Sequence, residues 1–187
     1  MAAKQALLSI DFINEIIHPE GKLSGKGYAA FDAEHGVLDR AAKALAEARA
    51  RGDFIVHVKV GFSSTYAEWP EGSPLFGAAK KFGALTLGAW ATGFHEKVVP
   101  TDGETEIVKH RVSAFYATPL EAILRNQGVE AVSVMGVATD LAVQAAARDA
   151  HDRDFAVTVL GPACGAANEE DHQTALNLLE KIAVVER

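Results

Sequence analysis

The stretch AVSVMGVATDLAVQAAARDAHDRDFAVTVL, residues 131–160, contains the unit on which the fold prediction rests. Residues 131–136 form a short, uninterrupted apolar run, which is typical of a strand buried on both faces. A helical stretch follows over residues 139–152, and residues 156–160 again have the pattern of a buried strand. Because a helix and not a hairpin turn joins the two strands, this unit predicts parallel pairing with a right-handed crossover.

The same alternation continues in both directions along the chain. Further strands are predicted at residues 6–10, 54–60, 106–109 and 182–185, and further helices at residues 32–51, 119–126 and 168–180. Thr118 is the predicted N-cap of the helix at 119–126. A length of 187 residues is typical of one domain. We therefore predict a single domain over residues 1–187, a three-layer α/β/α sandwich with a six-stranded, mainly parallel sheet of the Rossmann type.

The composition disfavours several classes of partner. Against 18 Lys and Arg stand 25 Asp and Glu, and the net charge of −7 offers no basic surface for nucleic acid. A single cysteine excludes an intramolecular disulfide framework and favours a reducing compartment. No apolar run approaches the length of about 20 residues that spans a bilayer. The expectation is a cytoplasmic protein that binds neither nucleic acid nor membrane.

Three predicted strands end in residues that are suited to chemistry. Asp11 follows the first strand, Lys109 ends the third, and the turn at residues 136–139 joins the fourth strand to its helix. Ligands of open α/β sheets bind outside the carboxyl ends of the strands, so these groups are expected to converge. The segment at residues 61–103 lacks periodicity, and a loop of this length is expected to wall a pocket.

Cofactor signals are missing from the sequence. The histidines are scattered without the spacing of metal ligands, and no glycine-rich phosphate-binding loop follows a strand. We expect neither a metal nor a cofactor.

Three segments together resemble the motif blocks of the isochorismatase-like hydrolases, also called the cysteine hydrolase superfamily. They are LLSIDFIN (7–14), EIVKHRVSAFYATPLEAIL (106–124) and VMGVATDLAVQAAARDAHDRDF (134–155). The segment LGAWATGFHEKVVP (87–100) resembles the loop that precedes the lysine strand in that family. The resemblance covers nearly the whole chain in order, and it implies the fold already predicted.

The resemblance implies a triad of Asp, Lys and Cys. Carried over, Asp11 is the acid and base, and Lys109 supports the developing charge. A cis peptide bond is implied between Val137 and Ala138, with the N–H groups of Ala138 and Ala142 as oxyanion donors. The metal motif of the nicotinamidase branch has no counterpart in VKVGFSSTYAEW (58–69).

The chain departs from this pattern at the nucleophile. The family's Cys position is occupied by Ala142, and a methyl group cannot attack a carbonyl. The only cysteine, Cys164, stands elsewhere and is expected to be a buried small hydrophobe. Two explanations stay open: a small residue is natural here, as in the isochorismatase branch, or a Cys of an amidase has been replaced.

Loop residues near the predicted site are candidates for substrate contact. An aromatic-lined pocket suits a small flat substrate. Arg111 is the nearest candidate for a carboxylate clamp, with Lys22 and Lys26 in the loop after the first strand. The aromatic candidates are Phe12, Tyr66, Trp90, Phe115 and Tyr116.

These observations predict a metal-free hydrolase that acts on an amide C–N bond or a vinyl ether of a small molecule, with Asp11 and Lys109 as its chemical groups. The alternatives are an inactive Cys-to-Ala form of a cysteine amidohydrolase and a binding protein without turnover. As is usual in the family, we expect a homodimer or homotetramer.

Overall fold

A computed structural model, which describes residues 4–187, places every strand in one parallel sheet. The strand order is β3-β2-β1-β4-β5-β6, and each neighbouring pair is parallel. The fold class predicted from the sequence is therefore confirmed. The strands are β1 (Gln5–Ile10), β2 (Phe54–Val60), β3 (Thr105–Lys109), β4 (Ala131–Val137), β5 (Ala156–Gly165) and β6 (Val184–Glu186).

The helices occupy the connections between the strands. The short helices α1 and α4 lie in the loops after β1 and β2, and the longer ones form the outer layers. They are α1 (Asn14–Ile17), α2 (Tyr28–His35), α3 (Val37–Arg51), α4 (Ala79–Phe82), α5 (Leu120–Asn126), α6 (Gln144–His151) and α7 (Glu169–Leu179). None of the helices within residues 4–187 is both long and apolar enough to cross a membrane.

The direction in which the chain moves along the sheet explains the two helical layers. From β1 to β2 it moves toward one edge, and from β4 through β5 to β6 it moves toward the other. Because such crossovers are right-handed, α3 covers one face of the sheet and α6 and α7 cover the opposite face. The direction reverses between β1 and β4, which is the position where parallel α/β sheets bind ligands.

Close packing between β1 and β4 requires a glycine at the end of β4. Gly136 lies beside Ile10 in the ladder. A Cβ atom built on Gly136 would stand 2.3 Å from the carbonyl oxygen of Ile10, and the φ angle of Gly136 is +153°. Any side chain at this position would force the two strands apart.

The predicted helix at residues 32–51 is in fact two helices. Gly36 adopts a left-handed conformation with φ of +66° and separates α2 from α3. The carboxylate of Asp32 then accepts a hydrogen bond from the Leu38 N–H at 2.7 Å, which satisfies a free donor at the start of α3. The apolar pattern continues across the break, and periodicity alone therefore predicted a single helix.

Other element boundaries also differ from the prediction. Strand β5 continues to Gly165, beyond an irregularity in its pairing with β4, because the chain stays extended through Gly161 and Pro162. Helix α5 begins at Leu120, although the hydroxyl of Thr118 does accept the Leu120 N–H at 3.3 Å. The start of the predicted helix at 139–152 is a π-helical turn over Thr139–Val143.

A polar network that extends from the buried His57 to the exposed Arg49 joins β2 to the segment before β3. His57 Nε2 lies 2.9 Å from Glu104 Oε2, and Arg49 Nε donates to Glu104 Oε1 at 2.7 Å. The Thr101 N–H donates to the same carboxylate. Burial alone would raise the pKa of Glu104, but the hydrogen bonds from Arg49, Thr101 and His57 outweigh it and lower the pKa to about 2.

Candidate functional site

The ends of β1, β2, β3 and β4 open into one cavity of about 640 Å³. Its floor consists of Asp11, Lys109, Val137, Ala138 and Ala142, which come from three separate motif blocks of the sequence. The floor is buried and the opposite rim is exposed. The other lining residues are Ile16, Lys22, Leu23, Lys26, Tyr28, Val60, Leu75, Phe76, Ala78, Ala79, Phe82, Ala84, Leu85, Val112 and Leu141.

A buried ion pair lies at the floor. Lys109 Nζ is 2.7 Å from Asp11 Oδ2, and both side chains are almost inaccessible to solvent. The Val60 N–H donates to Asp11 Oδ1 at 2.7 Å, so both carboxylate oxygens have a partner. Lys109 also donates to the carbonyl oxygens of Arg111 and Val112 at 3.1 and 3.0 Å. All three protons of the ammonium group are therefore directed at acceptors.

The environment of Asp11 changes the acidity of its carboxyl group. Burial raises the pKa of the Asp11 carboxyl above its ordinary value, and Lys109 and the Val60 N–H offset part of that rise. Asp11 also has a φ angle of +57°, an uncommon conformation outside glycine. Strained backbone of this kind is concentrated at functional sites. A carboxyl with a raised pKa at the floor of a cavity is suited to accepting and returning a proton.

The turn after β4 forms the other half of the floor. The peptide bond between Val137 and Ala138 is cis, as the resemblance implied. The Ala138 carbonyl accepts the N–H groups of Leu141 and Val143 at 3.2 and 3.1 Å, which closes the π-helical turn. Ala142 lies in this turn and lines the same cavity as Asp11 and Lys109.

Thr139 anchors this turn to the neighbouring elements. Its hydroxyl donates to the Gly165 carbonyl at 3.0 Å and lies 2.8 Å from His172 Nδ1. Thr139 is fully buried. The turn is thus fixed to the end of β5 and to α7 by polar contacts that solvent does not reach.

Residues 75–85, which we name the outer wall, close the cavity on the side away from the sheet. They belong to the long segment after β2, so the expectation that this segment walls a pocket is confirmed. Lys22 Nζ donates to the carbonyl oxygens of Phe82 and Gly83 at 3.0 and 2.9 Å, which ties the loop after β1 to the outer wall. Burial raises the pKa of Glu15, a buried neighbour, and Lys22 and the Leu85 backbone partly offset the rise.

The aromatic candidates do not line the cavity, which corrects their interpretation as pocket residues. Phe12 is fully buried in the hydrophobic core. The Tyr66 hydroxyl bonds the Ala84 carbonyl at 2.7 Å, so Tyr66 supports the outer wall from behind. Trp90 is exposed and packs edge-on against His18.

Arg111, Phe115 and Tyr116 also lie outside the cavity. Arg111 donates to the carbonyl oxygens of Glu68 and His110, so its guanidinium holds two loops together. Phe115 is buried against Phe155. Tyr116 is exposed to solvent. Of the cationic candidates, only Lys22 and Lys26 line the cavity.

The residues that the sequence analysis missed are mainly apolar. The outer wall contributes Leu75, Phe76, Phe82 and Leu85 to the cavity, and Tyr28 stands at the start of α2. The available signal was the apolar content of PLFGAAKKFGAL, residues 74–85, in a segment that otherwise has little apolar pattern.

Cys164 does not belong to the site. It pairs with Gly136 in the β4–β5 ladder and its thiol lies 3.2 Å from the Leu160 carbonyl. Burial raises the pKa of Cys164 to about 12, so the thiol stays protonated and unreactive at neutral pH. In the part of the chain that the structure describes, no three His, Cys, Asp or Glu side chains are grouped to hold a metal ion.

Comparison with known proteins assigns the motif blocks to one family. Residues 5–186 match the Isochorismatase domain. The chain is 34% identical over 145 residues to the uncharacterized isochorismatase family protein YecD of Escherichia coli O157:H7, covering 75% of this chain and 73% of that protein. It is 30% identical over 173 residues to maleamate amidohydrolase of Pseudomonas putida, covering 92% and 78%.

A solved structure shares the fold over nearly the full length. An isochorismatase family protein from Desulfovibrio vulgaris superimposes with a TM-score of 0.87 at 25% identity, covering 98% of this chain and 94% of that one. The similarity therefore extends through the sheet, both helical layers and the loops around the cavity.

Proposed function

Because the chain belongs to the isochorismatase domain family, we propose that it hydrolyses an amide C–N bond of a small molecule without a metal. Asp11 is the acid and base, and Lys109 is its charged partner. The observation that carries the proposal is the Asp11–Lys109 pair, 2.7 Å apart and buried at the floor of the cavity. The name of the relative maleamate amidohydrolase favours an amide over a vinyl ether.

With alanine at position 142, water takes the place of the thiol. Asp11, as the carboxylate, accepts a proton from a water molecule while the water oxygen bonds to the amide carbon. The tetrahedral intermediate then collapses, the C–N bond breaks, and Asp11 returns the proton to the leaving nitrogen. One amide and one water give one carboxylic acid and one amine.

Lys109 acts by charge and not by proton transfer. Its three hydrogen-bond partners fix the ammonium group beside Asp11. A fixed positive charge in a site with little water stabilises the carboxylate form of Asp11 and the negative charge that develops on the substrate oxygen. The N–H groups of Ala138 and Ala142 are the proposed donors to that oxygen.

A second candidate is a binding protein that has lost turnover. Ala142 favours it, since the cavity and ion pair are intact while the position that the resemblance gives to the nucleophile has no reactive atom. Such a protein would bind the same class of molecule in the same cavity.

A three-variant assay separates the two candidates. The native chain, Ala142→Cys and Asp11→Asn are screened against small amides, ureas and vinyl ethers, with circular dichroism as the check on folding. Hydrolysis by the native chain that falls by about 10²–10⁴-fold in Asp11→Asn supports the water route. Activity confined to Ala142→Cys supports a lost nucleophile, and undiminished activity of Asp11→Asn overturns the role of the carboxyl.

A further inference from the structure

The cavity is much more apolar than a small polar amide needs. Five of its lining side chains carry a polar group, and all others are aliphatic, aromatic or alanine. A volume of about 640 Å³ lies within the range of sites that enclose ligands of drug size, about 300–1,000 Å³. A substrate no larger than its reacting group would leave most of these walls in contact with water.

The apolar surface continues from the floor to the rim. Leu75 and Phe82 line the cavity, yet they are 40% and 62% exposed. Both belong to the outer wall. Exposed apolar surface marks either an interaction surface or a ligand-binding groove, and the continuity of these two side chains with the cavity favours a ligand.

The charged groups of the cavity differ in how far their hydrogen-bonding capacity is already used. Lys109 is held by Asp11, and the ammonium group of Lys22 is occupied by the carbonyls of Phe82 and Gly83. Lys26 is an exposed residue that also lines the cavity, and its ammonium group has no ion pair or hydrogen bond with any residue in the described range 4–187. Arg111, the other cation considered for this role, is bound to two carbonyls outside the cavity.

We propose that the cavity binds an elongated monoanion, with an apolar body of several carbons along the outer wall and one carboxylate at Lys26. This proposal rests on the proposed function, which places the reacting amide at the Asp11 end. The protons of Lys26 are free for one carboxylate, whereas a second carboxylate would have to compete with the Phe82 and Gly83 carbonyls for Lys22 or lie against apolar walls. The chemical class is therefore the long-chain monoamides of dicarboxylic acids and their aromatic equivalents.

Binding measurements on the native chain test how long the apolar body of the ligand is. Calorimetry with the monoamides of succinic, adipic, suberic and sebacic acid should show tightening of about three- to fourfold per added methylene, since each buried methylene contributes a constant free energy. Equal or weaker binding of the longer compounds overturns the proposal. Because turnover is not the readout, an inactive chain still gives a result, and hydrolysis of short amides alone leaves the proposed function standing.

Variants of the rim test the two ends of the ligand separately. Phe82→Ser should weaken sebacic monoamide at least about tenfold and leave succinic monoamide unchanged. Lys26→Ala should weaken suberic monoamide about two- to fivefold at low salt and leave the uncharged suberic diamide unchanged. Lys43→Ala, at an exposed lysine outside this cavity, is the matched control. Equal losses for both compounds, or a change of oligomeric state in Phe82→Ser without a change in binding, overturn the assignment.

Discussion

Lys109 Nζ and Asp11 Oδ2 lie 2.7 Å apart although 98 positions separate the two residues in the chain. The ends of β1 and β3 bring them together, with β2 between the two strands. Neither side chain reaches solvent, so the charge of each depends on the other. This dependence gives the first prediction.

The contributions of Asp11 and Lys109 to stability should depend on each other. In Asp11→Asn or Lys109→Met, one buried charge is left without its partner, and we expect a loss of about 3–5 kcal/mol in the free energy of unfolding. The double variant should lose less than the sum of the two single losses. Urea unfolding of the four proteins measures the coupling, and strictly additive losses would contradict it.

Gly136 should tolerate no side chain. Alanine there places a Cβ atom 2.3 Å from the Ile10 carbonyl oxygen, and we expect Gly136→Ala to lose about 2–4 kcal/mol of unfolding free energy or to fail to fold. Gly25→Ala is the control, since a Cβ atom built there meets nothing within 4 Å. Equal thermal midpoints for the two variants would refute the close approach of β1 and β4.

Acid should weaken the fold through Glu104. Its pKa is lowered from 4.5 to about 2, so the folded state favours the carboxylate. The resulting stabilisation is present above pH 4.5 and is lost as the pH falls toward 2. Unfolding free energies measured between pH 5 and pH 2.5 should fall less steeply in Glu104→Gln than in the native chain. Parallel slopes would contradict the assignment.

Lys22 should hold the outer wall in place. Lys22→Met removes the hydrogen bonds to the Phe82 and Gly83 carbonyls, and the amides of Gly83 and Ala84 should then exchange with deuterium about five- to tenfold faster. Lys43→Met removes only an exposed pair with Glu47 at 3.8 Å and serves as the control. Unchanged exchange at residues 83 and 84 would show that Lys22 does not restrain the wall.

Cys164 should be inert until the protein unfolds. With its pKa raised to about 12, the native chain should react with less than about 0.1 equivalent of a thiol reagent at pH 8, and with one equivalent in denaturant. The variant Ala142→Cys should add one fast equivalent, because position 142 lines the open cavity. Rapid labelling of the native chain would contradict the burial of Cys164.

The sheet was predictable because parallel strands have a strong local signature. The apolar runs around Ile10 and Val134 are buried on both faces, and each showed in the sequence as an uninterrupted stretch. The strand around Val58 contains His57 and Lys59 and showed instead through its β-branched residues. The break at Gly36 was not predictable from periodicity, since the apolar pattern runs through it and the deciding contact is the hydrogen bond that the Leu38 N–H donates to the Asp32 carboxylate.

The site residues at strand ends were predictable, because strand order decides where they lie. The site residues in loops were not, because their positions depend on how the loops pack. Asp11 and Lys109 follow strands, and the strand-end rule brings them to one edge. Phe12 and Arg111 stand one and two residues beyond those groups, yet they are directed to the core and to loop carbonyls. The direction of a loop side chain depends on contacts that are distant in sequence, such as that between Tyr66 and the Ala84 carbonyl.

The division of the cavity between two parts of the chain has an evolutionary consequence. The floor is built by strand ends whose residues are also needed for the sheet, as Gly136 illustrates. The outer wall is eleven consecutive residues, of which Leu75 and Phe82 are exposed while Phe76 and Leu85 pack into the core. Substitutions at Leu75 and Phe82 can therefore change ligand preference without altering the core. The exposed residues of the outer wall can therefore be replaced by those of a relative to change which ligands the same scaffold binds.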